Sequence, residues 1–228
     1  MTENGREQHE REIRDMHGEK MKVIGITGGV GAGKSQILSY LKEHTKCRVI
    51  MADQVAHELE KPGMICYEKL LALMGKDILA ENGEIDKAAF AARIFARKEL
   101  LAQVNEIVHP AVKEYILQAV AEEMEKGQQD YLFIEAALLI EDGYEEIVDE
   151  MWYIHTDEAV RRARLKASRG YTDEKIDSIM REQLSEEEFY RHCPVVIDNS
   201  EVLEHVYRQI DEKLGEDLCQ RRRNIRDN

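Results

Sequence analysis

Residues Gly28–Ser35 read GGVGAGKS, placing four glycines, one lysine and one serine within eight positions. The fixed positions match G-x-x-x-x-G-K-[ST], the loop whose backbone N–H groups wrap a polyphosphate. Any side chain at Gly31 or Gly33 would hold the phosphate oxygens away from those amides or block the dihedrals the loop needs. Lys34 has the length and charge to meet the β- and γ-phosphates, and the Ser35 hydroxyl is the expected ligand of Mg²⁺. Gly28, Gly29, Val30, Gly31, Ala32 and Gly33 are therefore expected to line the phosphates together with Lys34 and Ser35. The loop implies a nucleoside triphosphate and leaves open where the phosphate goes.

Such a loop works only between a strand and a helix whose positive end faces the ligand. Both flanks are present: the apolar run KVIGIT (22–27) precedes it and the amphipathic KSQILSYLKEH (34–44) follows. The runs RVIMA (48–52), YLFIEA (131–136), MWYIH (151–155) and PVVID (194–198) also read as strands covered on both faces. EAVRRARLKA (158–167) and EVLEHVYRQIDEKL (201–214) have helical periodicity. Alternating strand and helix predicts an α/β fold, a five-stranded parallel sheet in a three-layer sandwich.

Two stretches interrupt that rhythm. Between Asp53 and Asp130 there are only helical segments, YEKLLALMG, DKAAFAARIFA, KELLAQVNEIV and AVKEYILQAVAEEMEKG. Pro110 is expected to kink or restart a helix there, and the spacing of Phe90 and Phe95 predicts core positions. This insertion, about 53–129, would lean over the carboxyl edge of the sheet, where open α/β sheets bind ligands. A second stretch, about 161–192 and rich in arginine and glutamate, reads as a helical lid. The expected organisation is an extension at 1–20, one domain at 21–213 with its core at 21–52 and 130–213, and a polar tail at 214–228.

The 228 residues carry a formal charge of −14, which argues against general binding to nucleic acid or anionic membranes. Cys47, Cys66, Cys193 and Cys219 are scattered without a C-x-x-C pair, as in a reduced cytoplasmic protein. No apolar run approaches the roughly 20 residues of a membrane helix. A guanine-reading N-K-x-D tetrapeptide does not occur, and the strand ending in Glu135 lacks the acidic pair of a motor ATPase. A helical acceptor region and an arginine lid favour a small-molecule kinase over a switch GTPase or a mechanical ATPase. Asp53, directly after the second strand, can orient an acceptor hydroxyl and take its proton, or cap the following helix. Arg164 would neutralise the transferring phosphoryl group, sharing a helical face with Arg161 but not with Arg162. Glu135 would order a magnesium-bound water or orient Lys34.

In this order the motifs resemble the dephospho-CoA kinase family, over about Lys22 to Lys213. GITGGVGAGKS, VIMADQVAHEL, KPG (61–63), GEIDKAAFAARIF (83–95), VNEIVHPAV (104–112) and IEAALLIEDG (134–143) are similar to its successive segments. Gln36 follows the loop where threonine is common, Met51 takes the place of an aspartate, and Glu135 and Ala137 replace aspartate and proline. In the lid pattern Q-x-x-R-x-x-x-R, Arg161 occupies the glutamine position, Arg164 matches, and Ser168 stands at the second arginine with Arg169 one place on. Gln183 and VIDN (196–199) fit the family's ending. The resemblance implies transfer of the γ-phosphate of ATP to the 3′-hydroxyl of dephospho-CoA, with Mg²⁺, in the cytoplasm and without an obligate protein partner. It also implies nucleotide contacts at Arg164, Arg169 and Asn199, and acceptor contacts at Asp53, Arg93, His109 and Leu138. A nucleoside or nucleoside-monophosphate kinase and a non-catalytic ATP-binding regulator are the competing readings.

Overall fold

The computed structural model describes residues 21–97 and 99–224, with side chains to residue 215. The expected extension at 1–20, the end of the polar tail and the Cys219 side chain lie outside them. The strands are β1 (Lys22–Thr27), β2 (Cys47–Met51), β3 (Tyr131–Glu135), β4 (Glu150–His155) and β5 (Val195–Asp198), in the order β2-β3-β1-β4-β5. β1 pairs in parallel with β3 on one side and β4 on the other, with Gly25 opposite both Ile134 and Met151. All five residues of β3 are buried, as are Val23, Ile24, Ile26, Trp152 and Ile154. Apolar runs are needed there because helices leave neither face of these central strands to water. The chain leaves β1 for β2 and β3 and later crosses to β4 and β5. The carboxyl end of β1, where the glycine-rich loop begins, therefore lies at a topological switch point.

The contacts divide the chain into two units, one built from residues up to Val49 and from Glu123 onward, the other from Ile50–Glu122. In the first, α1 (Lys34–His44) buries Ile37, Leu38 and Leu41. The last helix, α9 (Leu203–Asn224), runs beside it, with Tyr207 stacked on Tyr40 at 3.9 Å and the Tyr40 hydroxyl donating to Asp211 (2.8 Å). α9 thus continues through most of the stretch that reads as a tail. α6 (Glu158–Arg169) ends at Gly170, whose φ of +63° is the left-handed cap that glycine supplies most easily. α7 (Asp173–Arg181) and α8 (Glu186–His192) follow, the latter opened by a capping box between Ser185 and Glu188. α8 rests on the sheet through Phe189, stacked on Tyr153 at 4.6 Å.

The second unit holds α2 (Ala52–Leu59), α3 (Tyr67–Met74), α4 (Lys87–Ala96) and nearly all of α5 (Glu99–Lys126). Asp86 caps α4 by accepting from the amides of Ala88 and Ala89. Three expectations change here. α5 continues through Pro110 and does not restart there, although the proline has no N–H to give the Glu106 carbonyl; burial of Val104 and Val108 before it and of Val112 and Ile116 after it offsets one missing bond. Phe90 and Phe95 are not core: α4 buries no residue, and Phe95 is 84% exposed. Five residues advance a helix by about 500°, so the two rings cannot share a face. Asp53 is not a helix cap either, because α2 already starts at Ala52 with Met51 as its cap and Asp53 in its first turn. Among the described residues no helix is long and apolar enough to cross a membrane.

Pro110 is exposed, so replacing it should remove little packing. Pro110→Ala restores a donor to α5, worth about 3 kcal/mol in a helix interior, less about 0.4–1 kcal/mol for the looser unfolded chain. The variant is expected to melt several degrees higher in a thermal scan; a lower midpoint would show that the ring holds a geometry the unit requires.

Candidate active site

The loop between β1 and α1 is held by its carbonyls. The Ala32 carbonyl accepts from the Asn199 side-chain amide (2.7 Å) and, at 3.1 Å, from the Thr156 hydroxyl, which shares its one proton with the His155 carbonyl (2.6 Å); both side chains are buried. Thr156 directly follows β4 and Asn199 directly follows β5, so the carboxyl ends of two neighbouring strands grip one peptide. A trans peptide is planar, with its C=O and N–H opposed. Turning the Ala32 carbonyl toward Thr156 and Asn199 therefore turns the Gly33 N–H toward the loop's interior. The Gly28 carbonyl is likewise held, by Lys34 Nζ at 2.7 Å.

This close packing explains two of the glycines. At Gly28 (φ +148°) an added Cβ would lie 2.6 Å from the Ile154 carbonyl oxygen of β4. At Gly33 (φ +85°) it would lie 2.3 Å from Asn199 Nδ2. α1 starts just after Gly33 with no side-chain cap and no acidic residue in its first turn, leaving its positive end open to an anion. Lys34 Nζ is 3.5 Å from the buried carboxylate of Glu135 at the end of β3. The Ser35 hydroxyl is exposed at the head of α1 and makes no hydrogen bond among the described residues. A free hydroxyl beside a polyphosphate cradle fits a Mg²⁺ ion that takes most of its oxygens from phosphate and water.

α6 brings two guanidinium groups onto the loop. Arg164 donates through Nη2 to the Asn199 carbonyl (2.9 Å), while its Nη1 is buried with no acceptor among the described residues. That nitrogen lies 3.3 Å from where a Gly33 Cβ would be. Arg161, one turn earlier, donates to the Val30 carbonyl (3.0 Å) and to Gln183 (2.6 Å). Arg162 faces away, paired with Glu158, Asp173 and Asp177. Ser168 donates to the Arg164 carbonyl one turn back. Arg169 is exposed, its guanidinium 5.8 Å above the Tyr171 ring.

The remaining expected residues are distributed as follows. Asn199 is fully buried and braces the loop's backbone. Leu138 is 40% exposed in the turn after β3, next to Leu139, which is buried against Gly25. In the other unit, Asp53 is exposed in the first turn of α2, and His109 sits half-buried within α5. Arg93 is paired with Asp77 and donates to the Met74 carbonyl (2.6 Å). Thr156 was not legible beforehand; a hydroxyl residue just past the carboxyl end of a strand was the one available signal. The docking of Arg161 had no signal beyond its helical face.

An uncapped helix end, a lysine and a guanidinium with one buried nitrogen left without an acceptor meet at the switch point of a parallel sheet, the arrangement of a P-loop nucleoside-triphosphate site. A family model described as dephospho-CoA kinase matches residues 22–205. A dephospho-CoA kinase of Carboxydothermus hydrogenoformans is 34% identical over 83% of this chain and 91% of its own length. The chain belongs to the dephospho-CoA kinase family and is a kinase. Among solved structures, TT1252 from Thermus thermophilus superposes with a TM-score of 0.71 at 27% identity, covering 87% of this chain and 98% of its own. Dephospho-CoA kinase from Campylobacter jejuni shares the fold, with a TM-score of 0.66 at 20% identity over 86% of this chain and 96% of its own.

Thr156→Val keeps the shape at position 156 and removes one of the two donors to Ala32. It is expected to cost about 1 kcal/mol in urea unfolding, the net worth of a neutral hydrogen bond whose acceptor keeps a second partner. ATP affinity should fall alongside it, because the Gly33 amide loses part of its orientation. Unchanged binding would show that Asn199 suffices.

Proposed function

We propose that the chain transfers the γ-phosphate of ATP to the 3′-hydroxyl of dephospho-CoA, releasing coenzyme A and ADP, and that it does so in the cytoplasm. The observation that carries the phosphate half is the buried Arg164 Nη1 with no protein acceptor beside an uncapped helix end. A desolvated guanidinium donor without a partner is costly, and an anionic oxygen placed there removes the cost. The acceptor half rests on family membership. The free thiols of Cys47, Cys66 and Cys193 support a reducing compartment.

The loop amides from Gly28 to Ser35, except that of Val30, which was expected at the phosphates but donates to Gln183, hold the β- and γ-phosphates together with the end of α1, which frees Lys34 from the Gly28 carbonyl to follow the transferring group. Glu135 keeps the ammonium over the loop during that exchange. Mg²⁺, when bound, supplies charge neutralisation across the β- and γ-oxygens, and the Ser35 hydroxyl is the group of this chain that would hold it. Arg164 stabilises the charge that spreads over the phosphoryl oxygens. Asp53 orients the ribose hydroxyl and receives its proton as transfer completes. The helical unit carrying Asp53 and His109 is the proposed acceptor domain, with Leu138 as a further acceptor contact, and α6 to α8 form the proposed lid.

Lys34→Ala should abolish transfer, below about one hundredth of the parent rate, while circular dichroism remains that of a folded protein. Asp53→Asn should leave ATP affinity nearly unchanged by calorimetry and cut turnover steeply; a fall in ATP affinity would instead place Asp53 at the metal. Labelled ATP offered in turn with dephospho-CoA, nucleosides and nucleoside monophosphates decides the acceptor. Label in dephospho-CoA alone is the expected result, and binding of ATP without transfer to any of them would refute catalysis.

A further inference from the structure

Val30 is the loop residue whose backbone N–H and C=O, on two successive peptides, are both taken by the lid. Its carbonyl accepts from Arg161 Nε at 3.0 Å, and its N–H donates to the Gln183 side-chain oxygen at 3.3 Å. That same oxygen accepts from Arg161 Nη2 at 2.6 Å, closing a three-membered network. Arg161 belongs to α6 and Gln183 to the turn between α7 and α8, so two separate lid elements converge on one residue. The guanidinium lies directly against Gly29, where an added Cβ would be 2.3 Å from Nη2 and 2.4 Å from Cζ.

We propose that Arg161 and Gln183 are positioning residues for the nucleotide: together they turn the Val30 carbonyl outward, and so the Gly31 N–H inward to the phosphates. The planarity of the peptide makes the second movement follow from the first. Val30 N–H, bonded to Gln183, is by the same network withdrawn from phosphate binding. Arg161 is also suited to the place electrostatically. Among the described residues no carboxylate stands within 4.0 Å of its guanidinium, and Glu158 and Glu186 act on it only from farther off. Burial pushes this guanidinium below its ordinary value, which still leaves it charged. Its charge is therefore not cancelled where a triphosphate arrives. Because the clasp is made of lid residues, the loop has its binding shape only while α6 and the 182–185 turn rest on it.

The inference builds on the proposed ATP site, and the test separates the two. Arg161→Met keeps the stem and removes the donors, Gln183→Leu removes the shared acceptor, and the pair is combined. Each single variant is expected to raise KM for ATP about tenfold, as loss of one charge-assisted hydrogen bond allows, and to leave KM for the acceptor within about twofold. The double variant should be no worse than the worse single one, since both break one network. Arg161→Lys, which retains charge and can still reach the carbonyl, should recover about half of the loss on a logarithmic scale. In ¹⁵N spectra the Gly31 amide should shift on adding ATP to the parent and markedly less in either variant. Losses that multiply in the double variant, KM values for both substrates rising together, or an unchanged Gly31 response would each overturn the clasp. If Lys34→Ala also leaves ATP binding intact, the site itself is misassigned; if Lys34→Ala abolishes binding and Arg161→Met does not weaken it, only the clasp fails.

Discussion

A peptide group cannot point its oxygen and its N–H the same way, and the phosphate loop depends on that constraint. The loop needs N–H groups on its concave side, so its carbonyls must be accepted elsewhere. Ala32 is served by Thr156 and Asn199, Gly28 by Lys34, and Val30 by Arg161. Apart from Lys34, the first residue of α1, those donors come from the end of β4, the end of β5 and α6, which is why β1 has to lie inside the sheet rather than at its edge. Central placement also gives β1 fully buried neighbours, with Phe133 and Trp152 on the flanking strands. The hydrophobic core and the binding loop are thus two results of one strand order.

The electrostatics run counter to the composition. A chain with a net charge of −14 must hold a highly charged anion, so its cations have to be concentrated where they matter. At the loop, Lys34, Arg161 and Arg164 face a single close carboxylate, Glu135. The i, i+3 spacing of the two arginines puts them on one side of α6, while Arg162 is held away by three acidic side chains of α6 and α7. Acidic residues here tether the wrong arginine and spare the right ones. These carboxylates therefore sort the guanidinium groups as well as solvate the surface.

Much of this was readable in the sequence, for local reasons. The five strands are short apolar runs, and the loop is a fixed pattern between a strand and a helix; neither depends on distant residues. The departures are all nonlocal. Pro110 sits inside α5 because packing on both sides outweighs one missing bond, which no local rule could anticipate. Phe95 lies outside the core because five residues turn α4 by about 500° from Phe90, which puts the two rings on different faces. Thr156 and Arg161 act on peptides more than 120 residues away in sequence. The side chains that shape a backbone from outside leave no trace in the motif they support. Arg169 and Arg93, for which the resemblance implies ligand contacts, each have a neighbour within the chain, Tyr171 and Asp77.

The three kinds of obstacle around the glycines set different limits on how this loop can drift over generations. Gly28 abuts main chain, the Ile154 oxygen, so no change of side chain elsewhere could make room for a larger residue. Gly33 abuts the Asn199 side chain but also has a backbone angle few other residues accept, so a partner's retreat would not be enough. Gly29 differs, because the three atoms nearest an added Cβ all belong to the Arg161 guanidinium and its φ lies outside the left-handed range. Positions 29 and 161 are therefore free to vary as a pair: a chain that shortened residue 161 would acquire licence to carry a side chain at 29, and one lineage's clasp could become another's ornamented loop.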